Sequence, residues 1–468
     1  MMIKILLALL FLYQILIVNA LNCQLKNTRF ITNNTANYDS LHIYSFHVVP
    51  KNYYASKYAT VKGFMVAYCD NKYTRNPRKE YLIADIDGKK FNGIVKIMQY
   101  SFCALKYINC RLEIFYVDFN IPRNLLVNRE NITIIDNGSK KKRVFKLSSE
   151  AANSEVYDGI TICTPTLYWY NNWIQMFTFL EYWRKQSNVH IVIHYRGMSS
   201  NVFKLINYYK DLGLVTLIPT PALPKQKGKN IEPFIFGFGG KVYLNSCMYS
   251  KNTKYVLAMD SDEYIHFFKN KTQHVYDFVE KEVKLRPYLK SVNFKNVRAS
   301  YTHRKITETF RFAQRYYYYK DTINKEGKSV VRTSKVDMIG YHMPVGTSTK
   351  QLYRVNNKVA LVLHARPNYV TVNVKGKRKI PKALLFDENE RLVIAKHYNE
   401  IKEKIMNGTL KFNYDVKLAN SLKITDRYKP KKYICYFDYE ESKKYVSKLE
   451  NWIYGEEQCN MERIFVPF

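Results

Sequence analysis

The chain has 468 residues, of which 47% are hydrophobic and 24% are charged, and its formal net charge is +35. This composition excludes an intrinsically disordered scaffold, and the lack of a 20–50-residue repeat in the sequence argues against a solenoid. Because the basic residues come in short scattered runs, and no zinc-finger or RNA-recognition signature occurs, we expect a general surface bias and no nucleic-acid partner.

A short apolar stretch opens the chain. Ile5–Val18 follows Lys4 without a charged residue, and Val18-Asn19-Ala20 is similar to a signal-peptidase site with an imperfect first position. The stretch is shorter than the roughly 20 residues that span a bilayer comfortably. Residues 1–20 are therefore predicted to be either a cleaved signal peptide or a short uncleaved anchor. Both place the rest of the chain on the non-cytosolic side.

Two further features favour a lumenal protein. The eight cysteines include no Cys-x-x-Cys pair, which favours structural disulfides over a zinc cluster and leaves the pairing open. Asn-x-Ser/Thr sequons for N-glycosylation occur at Asn33, Asn131, Asn137, Asn270 and Asn407.

Residues 21–155 are predicted to form a β-rich lumenal module. Short β-branched and aromatic segments alternate there with turn dipeptides such as Asp87-Gly88 and Asn137-Gly138. The predicted strands are Val61–Tyr68, Tyr81–Ile86, Ile94–Ser101, Leu112–Val117 and Ile132–Ile135.

Residues 156–385 show strands alternating with helices, which predicts parallel βαβ units with a ligand site at the carboxyl ends of the strands. The predicted strands are Gly159–Cys163, Val189–Tyr195, Leu214–Ile218, Tyr255–Met259 and Leu289–Val297. The predicted helices are Asn172–Gln186, one capped by Ser199 or Ser200, and Lys241–Ser250. Residues 386–468 are predicted to be a helical extension, with apolar faces over Ile394–Ile405 and Tyr445–Trp452.

The acidic motif Asp260-Ser261-Asp262-Glu263 follows the predicted strand Tyr255–Met259. Two carboxylates at a strand end can hold Mn²⁺ or Mg²⁺, which prefer oxygen ligands and also bind the diphosphate of a sugar nucleotide. Such a cation neutralises the charge that develops on the leaving group. The same spacing occurs at Asp85 and Asp87, which we interpret as a hairpin turn.

From residue 158 to about 370, the chain resembles glycosyltransferase family 92. The resemblance rests on the order of the blocks Thr161–Pro165, His190–Tyr195, Asn245-Ser246-Cys247, Asp260–Tyr264 and Lys328–His342. It implies a GT-A-like α/β fold, a mostly parallel sheet flanked by helices. It also implies inverting transfer of a hexose, with galactose as first candidate, from a UDP-sugar to a glycan or glycoprotein acceptor. A type II membrane protein with a lumenal Golgi domain is the expected location, and a secreted protein is the alternative.

The same region supplies the remaining candidate site residues. His342 is the expected third metal ligand beside Asp260 and Asp262, and His364 is its rival. His364-Ala365-Arg366 lacks the central Tyr that the resemblance would suggest there. Candidates for contacts to the diphosphate are Lys328, Arg332 and Lys335. Candidates for the general base, among which the sequence does not choose, are Glu263, Glu308 and Asp337.

Two other classes of protein remain as alternatives. A secreted carbohydrate-binding or adhesion protein could carry a degenerate transferase domain, but the acidic motif here is intact. A metal-dependent phosphodiesterase would need Asp and His ligands from several strand ends, and the chain has only 10 His.

Overall fold

The computed structural model describes residues 41–49, 57–69, 80–98, 112–149, 154–222, 235, 239–269, 273–301, 315–365, 382–406, 452–455 and 466–467. The N-terminal segment, Glu308, Arg366 and the sequons at Asn33, Asn270 and Asn407 lie outside these ranges. None of the helices within them is both long and apolar enough to cross a membrane.

In the described part of the N-terminal module, seven strands close into a barrel, with the spatial order β2-β5-β4-β3-β6-β7-β1. The strands are β1 (Leu41–Val48), β2 (Tyr58–Tyr68), β3 (Glu80–Ile86), β4 (Lys89–Ile97), β5 (Leu112–Pro122), β6 (Asn131–Asp136) and β7 (Lys142–Ser148). The ring closes because β1 pairs with β2 in antiparallel and with β7 in parallel fashion. The prediction of a β-rich module is confirmed, and closure removes the exposed sheet edges that an open module would have.

Aromatic and β-branched side chains fill the barrel, including Phe46, Val117 and Phe119, all at most 1% exposed. Two glycines make room for these rings. A Cβ at Gly63 would lie 2.4 Å from the Phe46 ring, and one at Gly93 would lie 2.4 Å from the Phe119 ring. The interior is therefore packed solid and leaves no channel for a ligand in the described part.

The Asp85–Asp87 pair forms a hairpin turn between β3 and β4, as predicted. Asp87 and Gly88 have positive φ angles of 51° and 79°, as a two-residue turn between strands requires. The Gly88 N–H donates to Asp85 Oδ1 at 3.0 Å. These carboxylates are occupied in the turn, where Asp87 also pairs with Arg129.

A second, 11-stranded sheet dominates the rest of the described chain. Its strands are β8 (Tyr157–Cys163), β9 (Val189–Tyr195), β11 (Val215–Pro219), β12 (Thr253–Ala258), β13 (Glu263–Phe267), β14 (Ser291–Tyr301), β15 (Arg315–Tyr318), β16 (Asn324–Arg332), β17 (Leu352–Arg354), β18 (Ala360–Ala365) and β19 (Lys382–Leu384). Its helices are α1 (Trp173–Arg184), α2 (Ser200–Asp211), α3 (Gly240–Ser250), α4 (Val275–Leu285) and α5 (Glu388–Met406).

Only half of this sheet follows the expected parallel arrangement. Strands β11, β9, β8 and β12 are parallel neighbours, as the βαβ pattern predicts. Beyond β12 the sheet is mixed. Strands β16, β14 and β15 pair antiparallel, whereas β14 also pairs in parallel with β17 and β18. The expectation of a mostly parallel sheet was therefore wrong for the second half. There, neighbouring strands such as β12 and β16 are far apart in the chain, so the alternation of strands and helices does not fix their relative direction.

Local sequence explains the helix starts that position the parallel half. The Asn172 side chain accepts from the Gln175 N–H at 3.1 Å and caps α1. The Ser199 hydroxyl accepts from the Val202 N–H at 3.3 Å and caps α2, so Ser199 is the cap and not Ser200. Both helices pack their apolar residues into the core of the sheet.

One C-terminal helix prediction was wrong in its described part. Trp452–Tyr454 forms a strand, β20, which pairs antiparallel with β10 (Gly197–Ser199). A further two-residue strand, β21 (Val466–Pro467), pairs with β1 of the barrel. The predicted helical residues before Trp452 lie outside the described ranges.

The barrel and the second sheet share a hydrophobic core. Its members include Phe64 and Ile114 from the barrel, and Tyr249 and Ile339 from the later part of the chain. The Cys163–Cys247 disulfide lies in this core and joins the end of β8 to α3. The predicted boundaries at residues 20, 155 and 385 remain predictions.

Candidate active site

The acidic motif forms the turn between β12 and β13. The Met259 N–H donates to the Cys163 carbonyl at 3.1 Å, and the Glu263 N–H donates to the Asp260 carbonyl at 3.1 Å. On the far side of the turn, the Ala365 N–H donates to the Asp262 carbonyl at 2.8 Å. The backbone that carries the carboxylates is therefore fixed from two neighbouring strands, and it sits at the carboxyl end of the parallel half-sheet.

Lys328 reaches the motif from β16, the antiparallel neighbour of β12. Its Nζ lies 2.7 Å from Asp260 Oδ2 and 2.9 Å from Glu263 Oε2, and its side chain is 1% exposed. Although burial opposes the charged form of each group, this contact lowers the pKa of the Asp260 carboxyl and raises the pKa of Lys328. Lys328 is thus an internal counter-ion of the motif. The diphosphate contact expected of Lys328 from the sequence stays a prediction.

Glu263 is a structural member of the motif. Its Oε1 accepts from Asn296 Nδ2 at 2.9 Å, and its Oε2 accepts from the Asp260 N–H at 3.2 Å. Burial raises the pKa of this carboxyl, against the lowering effect of Lys328. With a side chain only 1% exposed, Glu263 cannot reach the hydroxyl of an incoming substrate. The structure therefore favours the buttressing role over that of general base.

The imidazole beside the motif is that of His364. Glu263 on β13 lies directly opposite His364 on β18, and His364 Nε2 is 3.2 Å from Asp262 Oδ2. His342, the ligand preferred from the sequence, is exposed, and its Nδ1 lies 3.1 Å from the Gly327 carbonyl oxygen. Strand pairing, and not chain order, brings His364 to Asp262, and the choice between the two histidines as metal ligand stays a prediction.

Tyr170 is a site residue that sequence reasoning missed. The Ser261 hydroxyl, between the two aspartates, donates to Tyr170 OH at 3.2 Å, and Tyr170 OH donates to Gln175 Oε1 at 3.1 Å. The Tyr170 backbone is held by the Gly197 carbonyl at 3.1 Å. The loop after β8 is thereby tied to the acidic turn. A half-buried Tyr in a Tyr-Trp-Tyr run was the only available signal.

The remaining sequence candidates lie elsewhere or outside the described ranges. Arg332 lies four residues along β16 from Lys328, a distance of about 13 Å between the two backbone positions. Its side chain donates to the carbonyls of Pro287 and Leu289. Lys335 is exposed, in the 3-10 turn after that strand. The structure does not bring these two cations to Asp260.

Asp337 lies at the junction with the barrel, and its candidacy as base stays a prediction. Its backbone carbonyl accepts from Tyr249 OH. Burial raises the pKa of Tyr116 on β5, and the charges of Asp118 and Asp337 add to that rise. Glu308 lies outside the described residues, so it remains a candidate.

The donor atoms of the motif suit a divalent cation. Asp260 and Asp262 offer carboxylate oxygens and His364 an imidazole nitrogen, the ligand types that Mn²⁺ accepts. The Asp260 and Asp262 side chains are 37% and 14% exposed, so ligands can approach. Within the described ranges, no group of three His, Cys, Asp or Glu side chains is already drawn together as a metal site.

Comparison with solved structures finds bacterial proteins of low similarity. Residues 1–349 of TarS from S. aureus share 12% identity, with a TM-score of 0.27, over 57% of this chain and 78% of that one. The same protein in complex with UDP-GlcNAc shares 12% identity, with a TM-score of 0.25, over 58% and 79%. These values carry no argument about the present site. A comparison with curated protein sequences finds no significant match.

The family comparison is decisive. The model of glycosyltransferase family 92 matches residues 158–407, which is more than half of the chain. The match covers the parallel half-sheet, the acidic motif, Lys328 and His364. The chain is a glycosyltransferase, and it belongs to glycosyltransferase family 92.

Proposed function

We propose that this enzyme transfers a hexose from a UDP-sugar to a glycan or glycoprotein acceptor with inversion at the sugar carbon, and that galactose is the sugar. The observation that carries the proposal is the partly exposed Asp260-x-Asp262 turn at the carboxyl end of β12, fixed by Lys328 and backed by His364. Open α/β sheets bind their ligands at this end. A carbohydrate-binding protein without catalysis would not need carboxylates held by a buried ammonium, an arrangement that is costly to desolvate.

Asp260, Asp262 and His364 are the residues that we propose hold a divalent cation, with Mn²⁺ as first candidate. When bound, the cation would neutralise the charge of the departing diphosphate. Lys328 keeps Asp260 ionised and oriented, since it lowers the pKa of that carboxyl. Glu263 and Asn296 hold the turn from behind. The base that deprotonates the acceptor hydroxyl stays unassigned.

We also propose a lumenal catalytic domain, anchored in the Golgi membrane as a type II protein, with secretion as the alternative. The support is the apolar segment Ile5–Val18 and the sequons. Disulfide bonding of Cys163 with Cys247, and of Cys69, is compatible with an oxidising compartment.

A donor screen tests the function. Purified protein is incubated with Mn²⁺, a panel of UDP-sugars and a labelled glycan pool, and UDP release and product mass are measured. We expect UDP-galactose to give the fastest acceptor-dependent release, and NMR of the product to show the inverted anomer. If the protein turns over none of the UDP-sugars in the panel, the proposal is refuted. Another preferred sugar would correct the donor only.

A metal titration distinguishes the two histidines. A ligand His must be neutral, and its loss leaves the carboxylates to hold the cation, so affinity should fall by about 10- to 100-fold. We expect this weakening of Mn²⁺ binding, measured by electron paramagnetic resonance, for His364→Ala. His342→Ala serves as the matched control and should bind Mn²⁺ like the wild type. The reverse result would restore His342 as the ligand.

A further inference from the structure

The sheet face that carries the acidic motif continues as a row of side chains across three neighbouring strands. Glu263 on β13 lies opposite His364 on β18, and His364 lies opposite Arg298 on β14. Tyr319, the residue after β15, comes next, because Ala299 pairs with Tyr318 and the Tyr319 N–H donates to the Arg298 carbonyl at 3.0 Å. The row runs about 14 Å from Glu263, at the usual spacing between strands.

The members of this row share one face, because residues directly opposite each other in paired strands point to the same side. Two hydrogen bonds agree. Asn296 Nδ2, two residues before Arg298, donates to Glu263 Oε1 at 2.9 Å. The Ser300 hydroxyl, two residues after Arg298, lies 3.1 Å from Tyr319 OH. The alternate residues along these strands are buried in the hydrophobic core on the other side, including Tyr264, Val297, Tyr318 and Leu363.

The row changes in character with distance from the acidic motif. Glu263 is buried and His364 is 19% exposed, whereas Arg298 is exposed and Tyr319 is half-buried. Arginine offers five N–H donors to hydroxyl and carboxylate oxygens. Tyrosine offers an apolar ring with a polar end, on which the C–H face of a pyranose ring can pack. The outer half of the row therefore suits a sugar ring more than a diphosphate.

The direction of the row is that expected of an acceptor. In an inverting displacement, the attacking hydroxyl approaches the sugar carbon from the side opposite the leaving group. The diphosphate belongs at Asp260 and Asp262, so the acceptor is expected beyond the transferred sugar. Arg298 and Tyr319 lie one and two strands past His364, on the side away from the acidic motif.

We propose that Arg298 and Tyr319 form the acceptor subsite of this glycosyltransferase, Arg298 binding hydroxyl or carboxylate groups and Tyr319 stacking on a pyranose ring of a glycan. The inference rests on the proposed function, which supplies the donor end of the row. The tyrosines of the run Tyr316–Tyr319 therefore have different roles. Tyr316 and Tyr318 fill the core, and Tyr319 faces the ligand.

Steady-state kinetics test the subsite. Arg298→Ala and Tyr319→Ala are compared with the wild type at varied UDP-galactose and varied labelled glycan pool. We expect the acceptor KM to rise by about tenfold or more, with a much smaller change in the KM for UDP-galactose. Tyr319→Phe, which keeps the ring, should lie closer to the wild type. An unchanged acceptor KM, or an equal rise in both KM values, would overturn the inference.

Matched controls and a binding assay make the result independent of catalysis. Arg354→Ala removes an exposed Arg on β17 opposite Asn293, about 16 Å along β14 from Arg298, and Tyr288→Ala removes a 62% exposed Tyr. Both should leave the acceptor KM unchanged.

Fluorescence polarisation with labelled N-glycans, O-glycans and glycolipid head groups should show binding that Arg298→Ala and Tyr319→Ala weaken by a similar factor. Wild-type protein that binds none of these glycans, or variants that bind them equally well, would overturn the subsite. Failure of UDP release alone would instead count against the proposed function.

Discussion

Lys328 is the residue on which the electrostatics of the acidic motif depend most. One ammonium contacts two carboxylates, and both the Lys328 and the Glu263 side chains are 1% exposed. Desolvating such charges costs several kcal/mol per ion, which only their mutual attraction offsets. Removing the Lys328 ammonium alone would leave the Asp260 and Glu263 carboxylates beside each other without a counter-ion. Lys328 thus couples the stability of the domain to the shape of the site.

We expect Lys328→Gln to lower the free energy of unfolding by about 3–5 kcal/mol, the usual cost of breaking a buried ion pair from one side. Urea denaturation measures this loss. Lys254→Gln is the matched control, because Lys254 is 39% exposed and pairs with Asp158 and Glu280 at the start of β12. Its loss should cost less than about 1 kcal/mol. Equal effects of the two substitutions would show that Lys328 is not the counter-ion described.

The sequence predicts the site residues that are neighbours in the chain and misses those that strand pairing adds. Asp260 and Asp262 were predictable because two residues in one turn after a strand must lie together. The role of Lys328 was not, because Asp260 is 68 residues away in the chain and Lys328 reaches it from a different strand. His364 was ranked second for the same reason. Its place depends on the pairing of β13 with β18.

At the scale of the elements, periodicity predicts that a strand exists but not which strand it pairs with. Val189–Tyr195 was predicted with the observed bounds, and the parallel order followed from the helices between strands. The antiparallel neighbours β12, β16 and β14 do not follow one another in the chain, so the mixed sheet could not be inferred. Trp452 fitted a helical spacing but pairs as a strand with Ser199. Tertiary context overrode the local pattern there.

Strand β1 carries a buried histidine that should make the barrel sensitive to acid. Burial lowers the pKa of His42 from 6.5 to about 4. A lowered pKa favours the neutral form in the folded protein. The stability that the neutral His42 contributes is therefore fully present above pH 6.5, and it is lost as the pH falls towards 4, because the unfolded chain then binds a proton that the folded protein does not.

We expect this residue alone to remove about 3 kcal/mol of unfolding free energy between those pH values. The His42→Phe variant has no side chain to protonate at this position. Between the same pH values, its free energy of unfolding should therefore fall by about 3 kcal/mol less than that of the wild type. Chemical denaturation of both proteins at a series of pH values measures the difference. Parallel pH profiles would show that His42 does not titrate as described.

At the scale of the whole molecule, the barrel and the transferase sheet pack against each other through a shared hydrophobic core. Glu113 on β5 and Lys241 on α3 are 1% and 4% exposed. Burial raises the pKa of the Glu113 carboxyl, and the Lys241 charge opposes that rise. The electrostatic attraction between these two buried groups favours one relative placement of the two parts over alternatives in which they are displaced.

The proposed lumenal location predicts glycans on the barrel. Asn131 is exposed at the start of β6, and Asn137 is half-buried in the turn that follows that strand. Protein expressed in secretory cells should gain gel mobility on treatment with an N-glycosidase. Asn131→Gln and Asn137→Gln should each remove part of that shift. Protein that shows no shift and fractionates with the cytosol would contradict the location.

The most direct measurement of the central claim compares the two Asp-x-Asp pairs of the chain. Asp262→Asn alters the motif at the end of β12, whereas Asp87→Asn alters the hairpin of the barrel, where the side chain is 59% exposed. Acceptor-dependent UDP release from UDP-galactose is measured for both under saturating Mn²⁺. The account predicts a loss of about 100-fold or more for Asp262→Asn, since an electrostatic group at the leaving diphosphate is removed, and wild-type turnover for Asp87→Asn. Wild-type turnover by folded Asp262→Asn would contradict the assignment of the site.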